Sequence, residues 1–236
     1  MISIAEIFGP TIQGEGPDVG LKSIFLRVAG CDFNCSWCDS KFAWNITYNT
    51  QGYEEESLAE NLVNMCNYTN CKSIILTGGN PCLYDFTTVV KVLKENDIRI
   101  GVETQGSILP KWLDYIDNIV ISPKPPSSNQ ADVFENVKNF ISNNLEKNIA
   151  IKIPIFDDED FEFATKYYKA FEDKLNDNIR LYLSVGNSDT SEPGAIRDRI
   201  IDSYEKLINK VITSSLSKVY ILPQVHTLVW GNKQGV

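Results

Sequence analysis

Three cysteines fall within eight residues, Cys31-Asp32-Phe33-Asn34-Cys35-Ser36-Trp37-Cys38, in the spacing C-x3-C-x2-C. Thiolates are soft ligands for iron and zinc, and three on one loop can carry a metal centre with a coordination position left open. A 4Fe-4S cube has four irons, each ordinarily held by Cys, so three ligands leave one iron for another donor. A structural zinc site closes with four ligands, yet no second Cys pair or Cys-His partner follows at a suitable distance, and the only histidine, His226, lies far down the chain. Zinc or a fortuitous spacing stays open as the alternative. Disulfides fit less well, because nothing before residue 25 resembles a signal peptide and the chain reads as cytoplasmic. The remaining cysteines, Cys66, Cys71 and Cys82, read as reduced and mostly buried.

Other residues with chemical potential gather at the ends of apolar runs. Thr77-Gly78-Gly79-Asn80-Pro81, Glu103-Thr104-Gln105-Gly106, Ser122-Pro123-Lys124, Ser184-Val185-Gly186-Asn187 and Gln224-Val225-His226 each follow a strand-like segment. Parallel sheets present ligands at the carboxyl ends of their strands; one polar end is ordinary, whereas five at one rim suggest a site. Near the amino end, Gly9-Pro10-Thr11-Ile12-Gln13-Gly14-Glu15-Gly16-Pro17 contains three glycines and two prolines. It is expected to end the first strand, Ile2 to Phe8, as a fixed loop with exposed amides. In the next strand Ile24, Leu26 and Val28 alternate with Phe25 and Arg27, so Arg27 should point inward, paired with a ligand carboxylate or with a structural partner such as Glu15.

The elements that must position these groups alternate along the chain. A helix is expected over Ser57 to Cys66, opened by a Ser57/Glu60 capping box. Strands are expected at Ser23 to Ala29, Ser73 to Leu76, Ile98 to Val102, Ile119 to Ile121, Ile149 to Ile153, Arg180 to Leu183 and Val219 to Leu222. Amphipathic stripes separate most of them: Phe86, Val89, Val90 and Leu93; Val133, Val137, Phe140 and Ile141; Phe161, Ala164, Tyr168 and Phe171; Ile196, Ile200, Leu207 and Val211. Repeated β-α units with right-handed crossovers imply a parallel sheet. The units are too few for eight strands, which predicts an α/β fold, a partial, open parallel (β/α) barrel.

At 236 residues the chain suits one domain, 1–236, able to bury its apolar surface without staples. With 22 basic and 31 acidic residues the formal net charge is −9, which argues against a nucleic-acid partner. No apolar run reaches the length of a membrane span.

The cysteine spacing, together with Gly78-Gly79-Asn80-Pro81, resembles the radical S-adenosylmethionine enzymes. Asn80 stands where that superfamily's Gly-Gly-Glu-Pro element has an acid. Glu6-Ile7-Phe8, Thr11 to Gly16, Arg27, Ala29-Gly30-Cys31, Trp37 to Ser40, Glu103 to Gly106, Ser122 to Lys124, His226-Thr227 and Trp230 to Lys233 narrow the resemblance to the 7-carboxy-7-deazaguanine synthases. The likeness spans nearly the full chain and is looser between Asp157 and Leu216. It implies conversion of 6-carboxy-5,6,7,8-tetrahydropterin to 7-carboxy-7-deazaguanine with loss of ammonia, on the route to queuosine. It also implies a 4Fe-4S cluster on Cys31, Cys35 and Cys38, S-adenosylmethionine, Mg2+ at Ser40, a homodimer, and a flavodoxin or ferredoxin as electron donor. By the same resemblance Trp37, Cys38, Asp39, Gly79, Ser122, Pro123, Lys124, Ser184, Val185, Gly186 and Asn187 would contact S-adenosylmethionine; Ile12, Gln13, Gly14, Glu15, Arg27, Thr77 and His226 would contact the pterin. A glycyl-radical-enzyme activase, and a non-catalytic iron-sulfur or zinc module, are the competing classes.

Overall fold

The computed structural model describes residues 1–44, 50–187, 196–233 and 235. Its strands are β1 (Ile2–Ile12), β2 (Lys22–Val28), β3 (Gln51–Tyr53), β4 (Ser73–Gly78), β5 (Arg99–Thr104), β6 (Asn118–Ile121), β7 (Ile149–Ile155), β8 (Ile179–Val185) and β9 (Val219–Leu222). They form one sheet in the order β3-β1-β2-β4-β5-β6-β7-β8-β9. From β2 onward through β4 to β9 the neighbours are parallel, while β1 runs antiparallel to both β2 and β3. β3 and β9 do not meet, so the barrel is open as expected. Helices α1 (Glu55–Thr69), α2 (Thr87–Glu95), α3 (Phe134–Ser142), α4 (Asp158–Phe171) and α5 (Ile196–Ile212) alternate with the strands, and α6 (Val225–Trp230) follows the last one. No helix among the described residues is long and apolar enough to cross a membrane.

The period of two along each strand produces two unlike faces. Ile24, Leu26, Val28, Leu76, Ile100, Val102, Ile121, Ile151, Ile153 and Leu183 join Leu62, Val89, Leu93, Val137, Ile141, Ala164 and Phe171 in one continuous outer core. Each such side chain contributes about 1.5–3 kcal/mol when fully buried. The inner face carries Val120, Ala150 and Tyr182 as a small apolar floor. One step further along the strands, the same parity brings up Arg27, Thr77, Glu103, Ser122, Lys152 and Ser184 as a polar layer below the carboxyl rim.

Three local expectations are corrected. β1 does not end at Phe8: it continues to Ile12 through a cis Gly9-Pro10 peptide and a register irregularity between Phe8 and Thr11. β3 covers only residues 2–4 of β1, so Pro10 sits on an unpaired edge where its missing N–H costs no ladder bond. The amides beyond it are engaged too: Gln13 N–H donates to Leu21 O at 2.8 Å and Gly20 N–H to Gln13 O at 2.8 Å. The helix after the cysteine loop is longer than expected, with Glu54 at its cap position and no side-chain cap bond. Glu55 and Glu56 in its first turn favour that start through the helix dipole, and Ser57 lies inside the helix. The short strand β3 had no distinct hydrophobic pattern to announce it.

Candidate active site

The cysteine loop leaves β2 at Val28 and is clamped from beneath by the turn after β4. Asn80 N–H donates to Gly30 O at 2.9 Å and Gly79 N–H to Val28 O at 3.2 Å. A Cβ on Gly79 would lie 1.9 Å from Gly30 O, so only glycine permits this approach. The Asn80 side chain is fully buried and used within the protein. It donates to Asp32 Oδ1 at 2.9 Å and Ser107 Oγ at 3.3 Å, and accepts from Cys82 N–H at 3.2 Å and Thr104 Oγ1 at 2.9 Å. Gln105 also donates to Asp32. Asn80 therefore ties the loop to the β4 and β5 ends, a role its neutral amide fills with both donors and acceptors.

Cys31, Cys35 and Cys38 are free thiols lining one cavity of about 230 Å³. Phe33 N–H donates to Cys31 Sγ and Ser40 N–H to Cys38 Sγ, each at 3.4 Å. Burial raises all three thiol pKa values, that of Cys35 to about 11. Metal binding must therefore displace their protons. Three free thiols on one cavity wall, two with amides aimed at sulfur, fit an iron-sulfur cluster that needs three ligands. Cys66, Cys71 and Cys82 are buried and free, as expected.

Behind the loop, Trp37 is fixed by a chain of bonds from a buried carboxylate. Trp37 Nε1 donates to Ser127 Oγ at 3.0 Å, and Ser127 Oγ donates to Asp160 Oδ2 at 2.7 Å. Asp160, fully buried in the first turn of α4, also accepts from Ser127 N–H at 3.1 Å and Phe156 N–H at 3.0 Å. The Trp37 ring packs on Phe156 with centroids 4.7 Å apart. A Cβ on Gly186 would meet that Phe156 ring at 2.1 Å. Lys124 Nζ lies 5.9 Å from the Trp37 ring centroid and donates to Ser122 Oγ at 3.0 Å.

The opposite wall is built from charge. Lys152 Nζ donates to Glu15 Oε2 and, at 3.3 Å, to Glu103 Oε2, with only 8% of the Lys152 side chain exposed. Gln13 is held between the two acids: its Nε2 donates to Glu103 Oε1 at 2.9 Å and its Oε1 accepts from Glu15 N–H at 3.2 Å. Burial opposes ionisation of Glu15, but Lys152 and His226 outweigh it and hold the carboxyl down at about 2. Burial likewise opposes the Lys152 charge, and Glu103 and Glu15 outweigh it, raising its pKa. His226, the second residue of α6, reaches this wall because Gly14 has no side chain; a Cβ there would lie 2.3 Å from His226 Nδ1. Val225 N–H donates to Gly14 O at 3.0 Å.

Arg27 enters the cavity as its alternation required, but its internal partner is Glu6 rather than Glu15. Nε donates to Glu6 Oε1 at 2.8 Å and Nη1 to Ser40 Oγ at 3.0 Å. Phe8 and Phe42 flank the guanidinium at 5.8 and 5.7 Å. Glu15 is unavailable because it belongs to Lys152. Ser40 Oγ in turn donates to Asp39 Oδ1 at 2.8 Å.

Of the residues singled out in the sequence, Ile12, Gln13, Gly14, Glu15, Arg27, Thr77 and His226 line the same cavity as the three thiols. So do Trp37, Asp39, Ser40, Gly79, Ser122, Lys124, Ser184, Gly186 and Asn187. Pro123 and Val185 are not on its wall; Val185 has the other strand parity and belongs to the outer core. Lys152, Phe156 and Asp160 escaped sequence reading, and Glu103 and Gln224 entered it only as parts of polar strand ends. Lys152 was detectable, since it is the one charge in Ile149-Ala-Ile-Lys-Ile-Pro-Ile, whose residues are all buried.

An open parallel half-barrel with three thiols on a loop at its carboxyl rim defines a class, the radical S-adenosylmethionine enzymes. The radical SAM superfamily model matches residues 26–167, and that family implies a 4Fe-4S cluster and S-adenosylmethionine. The 7-carboxy-7-deazaguanine synthase of Bacillus cereus is 41% identical over 241 residues, covering 100% of this chain and 99% of its own. That of Bacillus subtilis is 40% identical, covering 100% and 98%. The chain belongs to the 7-carboxy-7-deazaguanine synthase family. The crystal structure of QueE from Escherichia coli shares the fold, with TM-score 0.64 and 22% identity over 95% of this chain and 94% of that one. Streptococcus suis SuiB bound to S-adenosylmethionine matches at TM-score 0.59 and 12% identity, covering 84% of this chain and 49% of that one.

Proposed function

We propose that this chain converts 6-carboxy-5,6,7,8-tetrahydropterin to 7-carboxy-7-deazaguanine with release of ammonia, in queuosine biosynthesis. The observation that carries this reading is one cavity lined by Cys31, Cys35 and Cys38 together with Gln13, Gly14, Arg27 and His226. Cys31, Cys35 and Cys38 would hold the 4Fe-4S cluster. S-adenosylmethionine would lie against Trp37, Cys38, Asp39, Gly79, Ser122 to Lys124 and Ser184 to Asn187. With an electron from a flavodoxin or ferredoxin, cluster and S-adenosylmethionine together supply a radical able to take hydrogen from carbon.

The protein's own work is positioning, exclusion of water and electrostatics. Arg27, with Nε and Nη1 already engaged, offers Nη2 to the substrate carboxylate. Glu15, Glu103 and Gln13 present acceptors toward the pterin's N–H groups, with Ile12, Gly14 and Thr77 completing the wall. His226 adds a hydrogen-bonding imidazole. Ser40 would supply a hard oxygen to Mg2+. The working form is a cytoplasmic homodimer of single-domain chains spanning 1–236.

The test is anaerobic incubation of the reconstituted enzyme with the carboxylated pterin, S-adenosylmethionine and dithionite. Formation of 7-carboxy-7-deazaguanine without any protein partner is expected. Turnover only in the presence of a partner protein would point instead to a glycyl-radical-enzyme activase, and absence of deoxyadenosine to a non-catalytic module.

A further inference from the structure

Lys152 is a charge on a strand that otherwise buries nothing but apolar side chains, and it faces two acids rather than one. One carboxylate would suffice to neutralise a structural lysine. The second leaves this half-enclosed wall with more acid than Lys152 alone can pair, an excess that the N–H donors of a ligand can use. Glu15 comes from the segment after β1 and Glu103 from the end of β5, so the trio is assembled across the half-barrel rather than along one element. Both acids line the cavity. The bonds to Lys152 and Gln13 occupy only part of the acceptor capacity of Glu103, since an ionised carboxylate has about four lone-pair directions.

We infer that Lys152 is a positioning residue for substrate recognition. Its ammonium bridges Glu15 and Glu103 and holds the two carboxylates side by side, so that together they accept from the adjacent N–H donors of a 2-amino-4-oxopyrimidine ring. The inference rests on the pterin reading above. Without the ammonium, two buried carboxylates sharing one site cannot both ionise, and one retains a proton. A protonated acid presents a donor where the ring presents a donor, and recognition fails. The other titratable groups facing Lys152 are few. His226 lies by Glu15, and Tyr182 is its register neighbour on β8. Asp18, on the 3-10 turn against β7, is occupied by Arg99 at 2.9 Å and Asn118 at 2.7 Å. On the opposite face of β7, α4 supplies the outer core.

The experiment uses the reconstituted holoenzyme and reads KM for the carboxylated pterin from pH 6 to pH 9, beside cluster absorbance and substrate-free deoxyadenosine formation. For Lys152→Met, KM should rise roughly tenfold to a hundredfold at pH 6, the loss typical of bonds to a charged acceptor. The increase should shrink toward pH 9 as the shared proton leaves. Cluster absorbance and deoxyadenosine formation should be unchanged. Adding Glu103→Gln to Lys152→Met removes the paired charge and should flatten the pH profile. A KM for Lys152→Met that is unchanged, or raised equally at every pH, overturns the inference. Should Lys152→Met fail to accumulate, Lys152→Gln removes the same charge while keeping a polar end; the same pH-dependent KM increase supports the inference, and an unchanged or pH-independent KM overturns it. Absence of wild-type turnover would instead remove the pterin reading on which it stands.

Discussion

The two ends of the cavity are held by different physics. Around the thiols, position is fixed by close backbone approach and by hydrogen bonds to the Asp32 and Asp160 carboxylates: Gly79 against Gly30, Gly186 under Phe156, Asn80 beneath Asp32, and Trp37 through Ser127 to Asp160. Elsewhere on the cavity it is fixed by ion pairs, Lys152 between Glu15 and Glu103 and Arg27 on Glu6, with Arg27 also reaching Ser40 beside Cys38. The first arrangement tolerates no added volume, and the second no lost charge. On the proposed function, the first set would hold a cluster of fixed size, whereas the second would distinguish the donors and acceptors of a ligand.

The largest effect expected from separating the two ends is at the thiols. Cys35→Ser should abolish reductive cleavage of S-adenosylmethionine, whereas Cys66→Ser, in the outer core, should leave it intact; the assay is deoxyadenosine formation. Gly79→Ala comes next, because the new Cβ meets backbone that cannot swing aside. A destabilisation of about 1–3 kcal/mol or more, together with reduced iron and sulfide content, should appear in thermal unfolding and metal analysis. The charged end should instead respond to pH. Glu15 is depressed to about 2 from 4.5, so its contribution to stability is complete above about pH 4.5 and lost as pH falls toward 2. Wild type should therefore lose more stability across that window than Glu15→Gln, by on the order of 3 kcal/mol at most. Equal losses in urea titrations would show that the pair contributes nothing.

Smaller effects are expected where the two ends meet the loops. Asp160→Asn puts an NH2 group against a donor, either Ser127 or Phe156, at a cost of about 1–3 kcal/mol. It should weaken S-adenosylmethionine binding through Trp37 without altering the pterin KM. Ser40→Ala should raise the Mg2+ requirement while the cluster stays loaded, as a Mg2+ titration of turnover would measure.

Legibility in the sequence followed the same division. The outer core came from alternation in runs such as Ile24 to Val28, since a period of two is a property of neighbours in the chain, and the parallel sheet from the repeat of strand and helix. The thiols were visible because their ligands are local. What could not be read were pairings across the barrel. Glu15 and Lys152 are 137 residues apart, and their meeting depends on how far the turn after β1 folds over β7. Arg27 was placed inside, with a ligand carboxylate or a structural acid such as Glu15 as partner; its internal partner Glu6 escaped because it becomes a neighbour only through an antiparallel register set beside a bulge. Asp160 looked like one more acid in Asp157-Asp-Glu-Asp, and nothing in its neighbours announced complete burial.

The division of labour is tested most directly at Arg27, which faces the substrate end and also holds Ser40 of the cysteine loop. An ammonium cannot reproduce the fixed directions in which the guanidinium holds Glu6 and Ser40 while offering Nη2 to a carboxylate. The measurement is kcat/KM for the carboxylated pterin in Arg27→Lys, beside deoxyadenosine formation without substrate. A fall of roughly tenfold to a hundredfold in kcat/KM, with cluster content and deoxyadenosine formation unchanged, is the predicted result. Near-normal turnover, or joint loss of both activities, would contradict it.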